Sequence, residues 1–224
     1  VHQALANERE LVAALLALIG RDDEDRPASR RDLADAIEAL RGKTRVIIQR
    51  GRLAKMARVP RLTGVLDQFV RDVPFDERHQ SWHPKAALVR MRSEKAFEWR
   101  LWVGSRNLTA PENRDLGLVL VSGQQAKGRL VPGADDIARR LAERAGLGGL
   151  SPSRLATEVS ALKWRAPDGV RVDRLRISRG QSEWSLPILP EMVDALTVVS
   201  PFLDAGFLQH LLKTRCRTGE QGGE

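Results

Sequence analysis

The feature that most constrains this chain is a pair of strand-like runs, residues 84–92 and 95–103, with a polar turn around Ser93, Glu94 and Lys95. The second run alternates Phe97, Trp99, Leu101 and Val103 with Glu98, Arg100 and Trp102, the period of a strand with one buried face. Two such runs so closely joined predict a β-hairpin. With the turn centred on Glu94, His83 falls opposite Ser105, Lys85 falls opposite Val103, and Asn107 lies just past the strand end. Opposed residues share a face. His83, Lys85, Ser105 and Asn107 are therefore expected on one side of the hairpin's open end, and a register slip of one residue would separate them.

Around the hairpin the pattern alternates between helix and strand. Leu11, Leu15, Leu18 and Ile19 have helical spacing with Gly20 as a stop, and Ser29 with Asp32 forms a start signal ahead of Leu33, Ile37 and Leu40. Val46, Ile47 and Ile48 read as a strand buried in a sheet covered on both faces. Further helices are expected over 62–70, 135–144 and, capped by Ser151 with Pro152 in its first turn, 152–164. Residues 116–121, 170–177 and 196–200 read as strands, and Leu203, Phe207, Leu208, Leu211 and Leu212 as an apolar helical stripe. The fold class expected is α/β, a layered arrangement with a mixed sheet.

The open end of the hairpin gathers groups suited to a phosphodiester. His83 could attack phosphorus through a ring nitrogen and split one displacement into two. Lys85 would supply fixed positive charge, with Asn107 and Ser105 adding directional donors for the same oxygens. Asp115 is the candidate for orienting the His83 ring, with Glu112 as its alternative. His79 reads as a surface histidine and Trp82 as a packing residue.

The stretches His83-Pro84-Lys85 and Gly104-Ser105-Arg106-Asn107 resemble the H-x-K and G-S-x-N elements of the phospholipase D superfamily, and Asn113-Arg114-Asp115 resembles its N-x-E tail. The likeness covers residues 82–120 and is greatest to nuclease-like members. It implies an α/β/α sandwich and a metal-independent phosphodiesterase working through a phosphohistidine, with no cofactor. Two departures stand out. Arg90 occupies the place of the family's usual aspartate, leaving a His-Lys-Asn set as in tyrosyl-DNA phosphodiesterases. The family's site also takes two H-x-K elements, and this chain has one.

A second histidine is accordingly expected from a homodimer partner or from the missing half of a longer protein. Ser200-Pro201-Phe202-Leu203 resembles the opening of such a second half. The expected division is 1–195 as a half-domain, 196–213 as the start of a second half, and 214–224 as a disordered tail.

Charge narrows the substrate. The formal net charge is +8, and between residues 41 and 61 Arg41, Lys43, Arg45, Arg50, Arg52, Lys55, Arg58 and Arg61 occur without one acidic residue. Such a run suits a phosphate backbone, although a solvated basic surface has the same composition. Nucleic acid, DNA or RNA, is the partner expected, with Arg45, Arg50, Arg52, Lys55 and Arg106 as contacts. Apolar runs long enough to span a membrane are lacking, and the single Cys216 excludes an internal disulfide and a cysteine-based zinc site. A reducing, cytoplasmic setting without membrane attachment follows as the expectation. Three other functions compete: a catalytically inactive nucleic-acid-binding module, a subunit of a larger complex, and a phospholipase. The last would call for a strongly amphipathic docking helix, which the sequence lacks.

Overall fold

The computed structural model describes residues 8–21, 29–51, 63–76, 84–92, 96–105, 115–123, 128–177 and 205–215. The chain divides into two compact units, Val1–Gln181 and Ser182–Glu224. Within the second, the described element is a helix, α6 (Ala205–Arg215), so the expected disordered tail begins with two helical residues. The expected strand at 196–200 lies outside the described residues.

The first unit opens with helices α1 (Glu8–Leu18) and α2 (Arg30–Leu40). Ser29 caps α2 reciprocally: its hydroxyl accepts from the Asp32 N–H at 3.2 Å and its own N–H donates to the Asp32 carboxylate at 2.8 Å. Two otherwise orphaned backbone donors are thereby satisfied, a contribution of about 1 kcal/mol. The helices enclose Leu11, Leu15, Leu16, Ala36 and Ile37, joined by Leu66 and Phe69 from farther along the chain. Strand β1 (Val46–Gln49) pairs in parallel with β2 (Val70–Val73).

Two expectations are corrected here. The helix read over 62–70 is a single turn, α3 (Thr63–Leu66), then a 3-10 turn (Asp67–Phe69), and Val70 already opens β2. Its apolar residues turn inward because Leu66 and Phe69 fill the helical cluster, whereas Val70 must extend to pair with Val46. β1, expected in a doubly covered sheet, is half-buried along its length, in a two-stranded sheet among the described residues.

Strands β3 (Ala86–Arg92), β4 (Phe97–Gly104) and β5 (Gly117–Ser122) form a separate antiparallel sheet in the order β3-β4-β5. Helices α4 (Ala134–Ala145) and α5 (Pro152–Ser160) cover one face. Trp99, Leu101 and Leu120 of the sheet pack there with Ile137, Ala138, Ala142, Leu155, Val159 and Trp164. Full burial of each leucine stabilises the fold by about 1.5–3 kcal/mol.

Helix α5 stops at Ser160, short of the expected 164. Trp164 and Arg165 instead make backbone pairs with Arg129 and Val121, the latter with bonds of 2.8 and 3.0 Å. This segment covers the outer edge of β5, satisfying donors and acceptors that an edge strand leaves open. The expected strand at 170–177 is irregular chain. Val170 is exposed, and the Leu175 N–H bonds to the Pro132 carbonyl without a ladder forming. Helices and strands thus mix as an α/β class requires, in small sheets. Among the described residues no helix is long and apolar enough to cross a membrane.

Candidate active site

The hairpin pairs Arg92 with Phe97 and Ala86 with Val103. Four residues therefore separate the strands, not the expected three, and the register moves by one. Lys85 lies opposite Gly104, not Val103, and the Gly104 N–H donates to the Lys85 carbonyl at 2.9 Å. By alternation Lys85 shares a face with Trp102 and Gly104, while Val103 faces the α4/α5 cluster beside Ala86 and Leu88. The expected co-facial pairing of Lys85 with Val103 and Ser105 is overturned. His83, Asn107 and Arg106 lie outside the described residues, as do His79, Trp82 and Glu112.

Ser105 follows β4 directly, and its N–H bonds to the Leu116 carbonyl at 2.8 Å. Its hydroxyl accepts from the Leu116 N–H at 3.0 Å and donates to the Asp115 carboxylate at 2.9 Å. A hydroxyl has one proton, and this one is directed to Asp115. Ser105 and Asp115 therefore clamp the end of β4 to the start of β5. The sequence marked both residues but not their mutual bond, because ten positions separate them and only the β4/β5 pairing brings them together.

Lys85 is half-buried, and desolvation lowers the pKa of its ammonium from the ordinary lysine value. Ser105 and Asp115 are exposed. The backbone ends of β3, β4 and β5 thus bring an ammonium, a hydroxyl and a carboxylate to one edge of the sheet, with the ammonium on one face and the clamp at the strand ends.

The basic run divides. Arg45, just before β1, donates to the carbonyls of Gln68 and Thr44, which ties the strand to the 3-10 turn. Arg50, just after β1, lies 3.8 Å from Asp72 of β2, with both side chains largely exposed. Arg52 and Lys55 lie outside the described residues. Arg90 stacks on Phe97 at 3.8 Å from the ring centroid and reaches Glu158 of α5 at 3.6 Å. It fastens β3 to the covering helix. Among the described residues no three histidine, cysteine, aspartate or glutamate side chains gather as metal ligands.

Sequence reasoning missed Trp102 and its two glycines. A Cβ on Gly104 would stand 2.5 Å from Trp102 Cζ2, and one on Gly117 would stand 2.8 Å from Trp102 Nε1. Gly104 and Gly117 pair directly across β4 and β5, so the indole lies where their side chains would be. Two glycines flanking a loop were the available signal. No family model, curated protein or solved structure matches this chain.

Proposed function

We propose that the chain carries half of a phospholipase D-type phosphodiesterase site, on an α/β/α sandwich of that family, and that it acts on nucleic acid. The adjacency of Lys85 and Gly104 supports this reading most. The backbone bond between them joins a lysine of the H-x-K stretch to the first residue of G-S-x-N, a proximity that a shared phosphate site would need. Desolvation lowers the pKa of Lys85, and a partly buried ammonium at a strand end suits a phosphate contact.

In the proposed reaction a neutral His83 ring nitrogen attacks phosphorus and the bond to the leaving oxygen breaks. A second histidine, from a dimer partner or a missing half, gives that oxygen its proton. Water, giving a proton to the second histidine, then attacks the phosphohistidine, which breaks the N–P bond, restores both histidines and releases the phosphate product. Lys85 and Asn107 stabilise the equatorial oxygens as charge develops. Ser105 holds the loop end in place through Asp115. The single Cys216 supports placing the protein in the cytoplasm.

The test uses labelled single- and double-stranded DNA and RNA in EDTA. Cleavage is expected, with a loss of at least about a hundredfold in His83→Ala and Lys85→Ala. Cleavage undiminished in His83→Ala overturns the mechanism. Tight binding without cleavage in every form, including a sedimentation-verified dimer, favours the binding-module reading, which the single H-x-K element also supports.

A further inference from the structure

Two successive rows of residues form the open end of the site face of the β3-β4-β5 sheet. The first sets Ala87, Trp102 and Val119 side by side across the three strands. The second, one step toward the open end, sets Gly104 beside Gly117, with Lys85 bonded across from Gly104. Trp102 belongs to neither buried cluster. Its neighbours Ala87 and Val119 are exposed, whereas Trp99 on the other face is sealed beneath α4 and α5.

The glycine row explains how a large ring fits on a sheet surface. Any side chain at Gly104 or Gly117 would strike the indole, so their absence lets the half-buried ring lie down over the glycine row, the row in which Lys85 sits across from Gly104. The result is a low aromatic and apolar surface with an ammonium on the adjoining strand, diagonal to Trp102. Residues diagonal across an antiparallel pair have Cβ atoms within about 7–8 Å, so one ligand can touch both groups.

We infer that Trp102 is the stacking platform for a nucleobase adjoining the phosphate held at Lys85, and that the ligand of this face is single-stranded nucleic acid. The inference rests on the phosphodiesterase reading of Lys85 and names the substrate class for it. Two arguments select the occupant. A base is flat and uncharged, and stacking on an aromatic surface is tolerant of which base it is. A quaternary ammonium headgroup also suits an indole, but here its charge would lie beside the Lys85 ammonium. A base held in a duplex has both faces covered by its neighbours, so the strand must be single.

The test measures binding on ice, in EDTA, by fluorescence anisotropy of the full chain with a labelled single-stranded DNA and with an abasic strand of equal length and charge. The wild type is expected to prefer the base-bearing strand. Trp102→Leu should lose roughly five- to a hundredfold on that strand, with little change on the abasic one and an unchanged salt slope. Trp102→Phe should retain most of the preference. Lys85→Ala should weaken both strands and reduce the salt slope.

Equal losses on both strands in Trp102→Leu, or no loss on either, overturn the stacking role while leaving the phosphate reading of Lys85 intact. A wild type that binds neither strand overturns the nucleic-acid reading itself, and the inference with it. Trp102-dependent binding to phosphatidylcholine vesicles with no preference for bases assigns the face to lipid and overturns the inference. If Trp102→Leu fails to fold, Trp102→Phe decides: the base-bearing strand should quench wild-type tryptophan emission more than that of this variant, and equal quenching overturns the proposal.

Discussion

Neighbouring residues of β4 meet opposite surroundings. Trp99 and Leu101 are 6% and 1% exposed beneath α4 and α5, whereas Arg100 and Trp102, each one residue on, project from the other face beside Ala87, Val89 and Val119. The covered face holds aliphatic and aromatic groups from two helices and three strands. The other offers a lysine, a tryptophan and two glycines at one end. One strand thus serves stability with its odd positions and the candidate site with its even ones, because a strand's side chains alternate. Mutations on the two faces should then separate stability from binding.

The largest effect is expected from the covered face. Leu101→Ala should destabilise by about 2–5 kcal/mol, since it removes a buried side chain and leaves a cavity the helices cannot close. Trp102→Ala, at a half-buried ring, should cost less, about 1–3 kcal/mol, while abolishing base preference. Urea unfolding midpoints at constant slope measure both. Equal costs would show that the two faces do not differ in burial.

Next in size is Gly104→Val. The new side chain meets Trp102 and, at 2.9 Å, the Leu116 carbonyl, so either the ring or the β4/β5 pairing must yield, at about 1–3 kcal/mol. Tryptophan emission and near-ultraviolet circular dichroism should change with it. Gly148→Ala, where nothing lies within 4 Å of a new Cβ, should leave both signals unaltered.

The covered face was largely legible in the sequence, and the site face was not. Alternation along 97–103 identified Trp99 and Leu101 as inward, and the Ser29/Asp32 pair marked the start of α2. Both are local signals, set by residues a few positions apart. β2 escaped because its Val-Arg-Asp-Val offers no apolar run, and its extension is imposed by pairing with β1, 24 residues earlier. The register escaped because one residue more in the turn is invisible to periodicity, yet it decides which face Lys85 occupies. Trp102 was read only as a member of the polar side of the strand. Its role depends on Gly117, which joins it through a pairing the sequence does not encode locally.

A smaller effect should come from charge on the helix that seals the covered face. Burial raises the pKa of the Asp136 carboxyl, but hydrogen bonds and charge from Arg139 and Arg140 outweigh this and hold it below the usual carboxylate value. Its position in the first turn of α4 adds a favourable helix-dipole term. A depressed carboxyl contributes stability above its unfolded pKa and loses it as pH falls through the lower folded value. Asp136→Asn should therefore cost about 0.5–1 kcal/mol at neutral pH, and the difference from wild type should vanish in acid. Unfolding midpoints at pH 7 and below 3 check the sign. A cost comparable to Leu101→Ala would mean that charge, and not packing, holds α4 on the sheet.

The smallest effect on stability should occur at Lys85, where its direction matters more than its size. Burial lowers the pKa of this ammonium, so below the lowered value the fold holds a charge at a desolvation cost. Between that value and the ordinary lysine value of 10.5 the unfolded chain binds more protons than the folded one. Stability contributed by this group must then rise with pH across that window. Lys85→Met keeps the stem's bulk and removes the charge. At neutral pH it should be as stable as wild type or gain up to about 0.5 kcal/mol, with any gain shrinking as pH climbs through the window. The same substitution should weaken binding to both base-bearing and abasic strands. A residue whose removal preserves stability but weakens binding is held for function, so a stability loss at neutral pH would instead make Lys85 part of the scaffold and remove the distinction between the two faces.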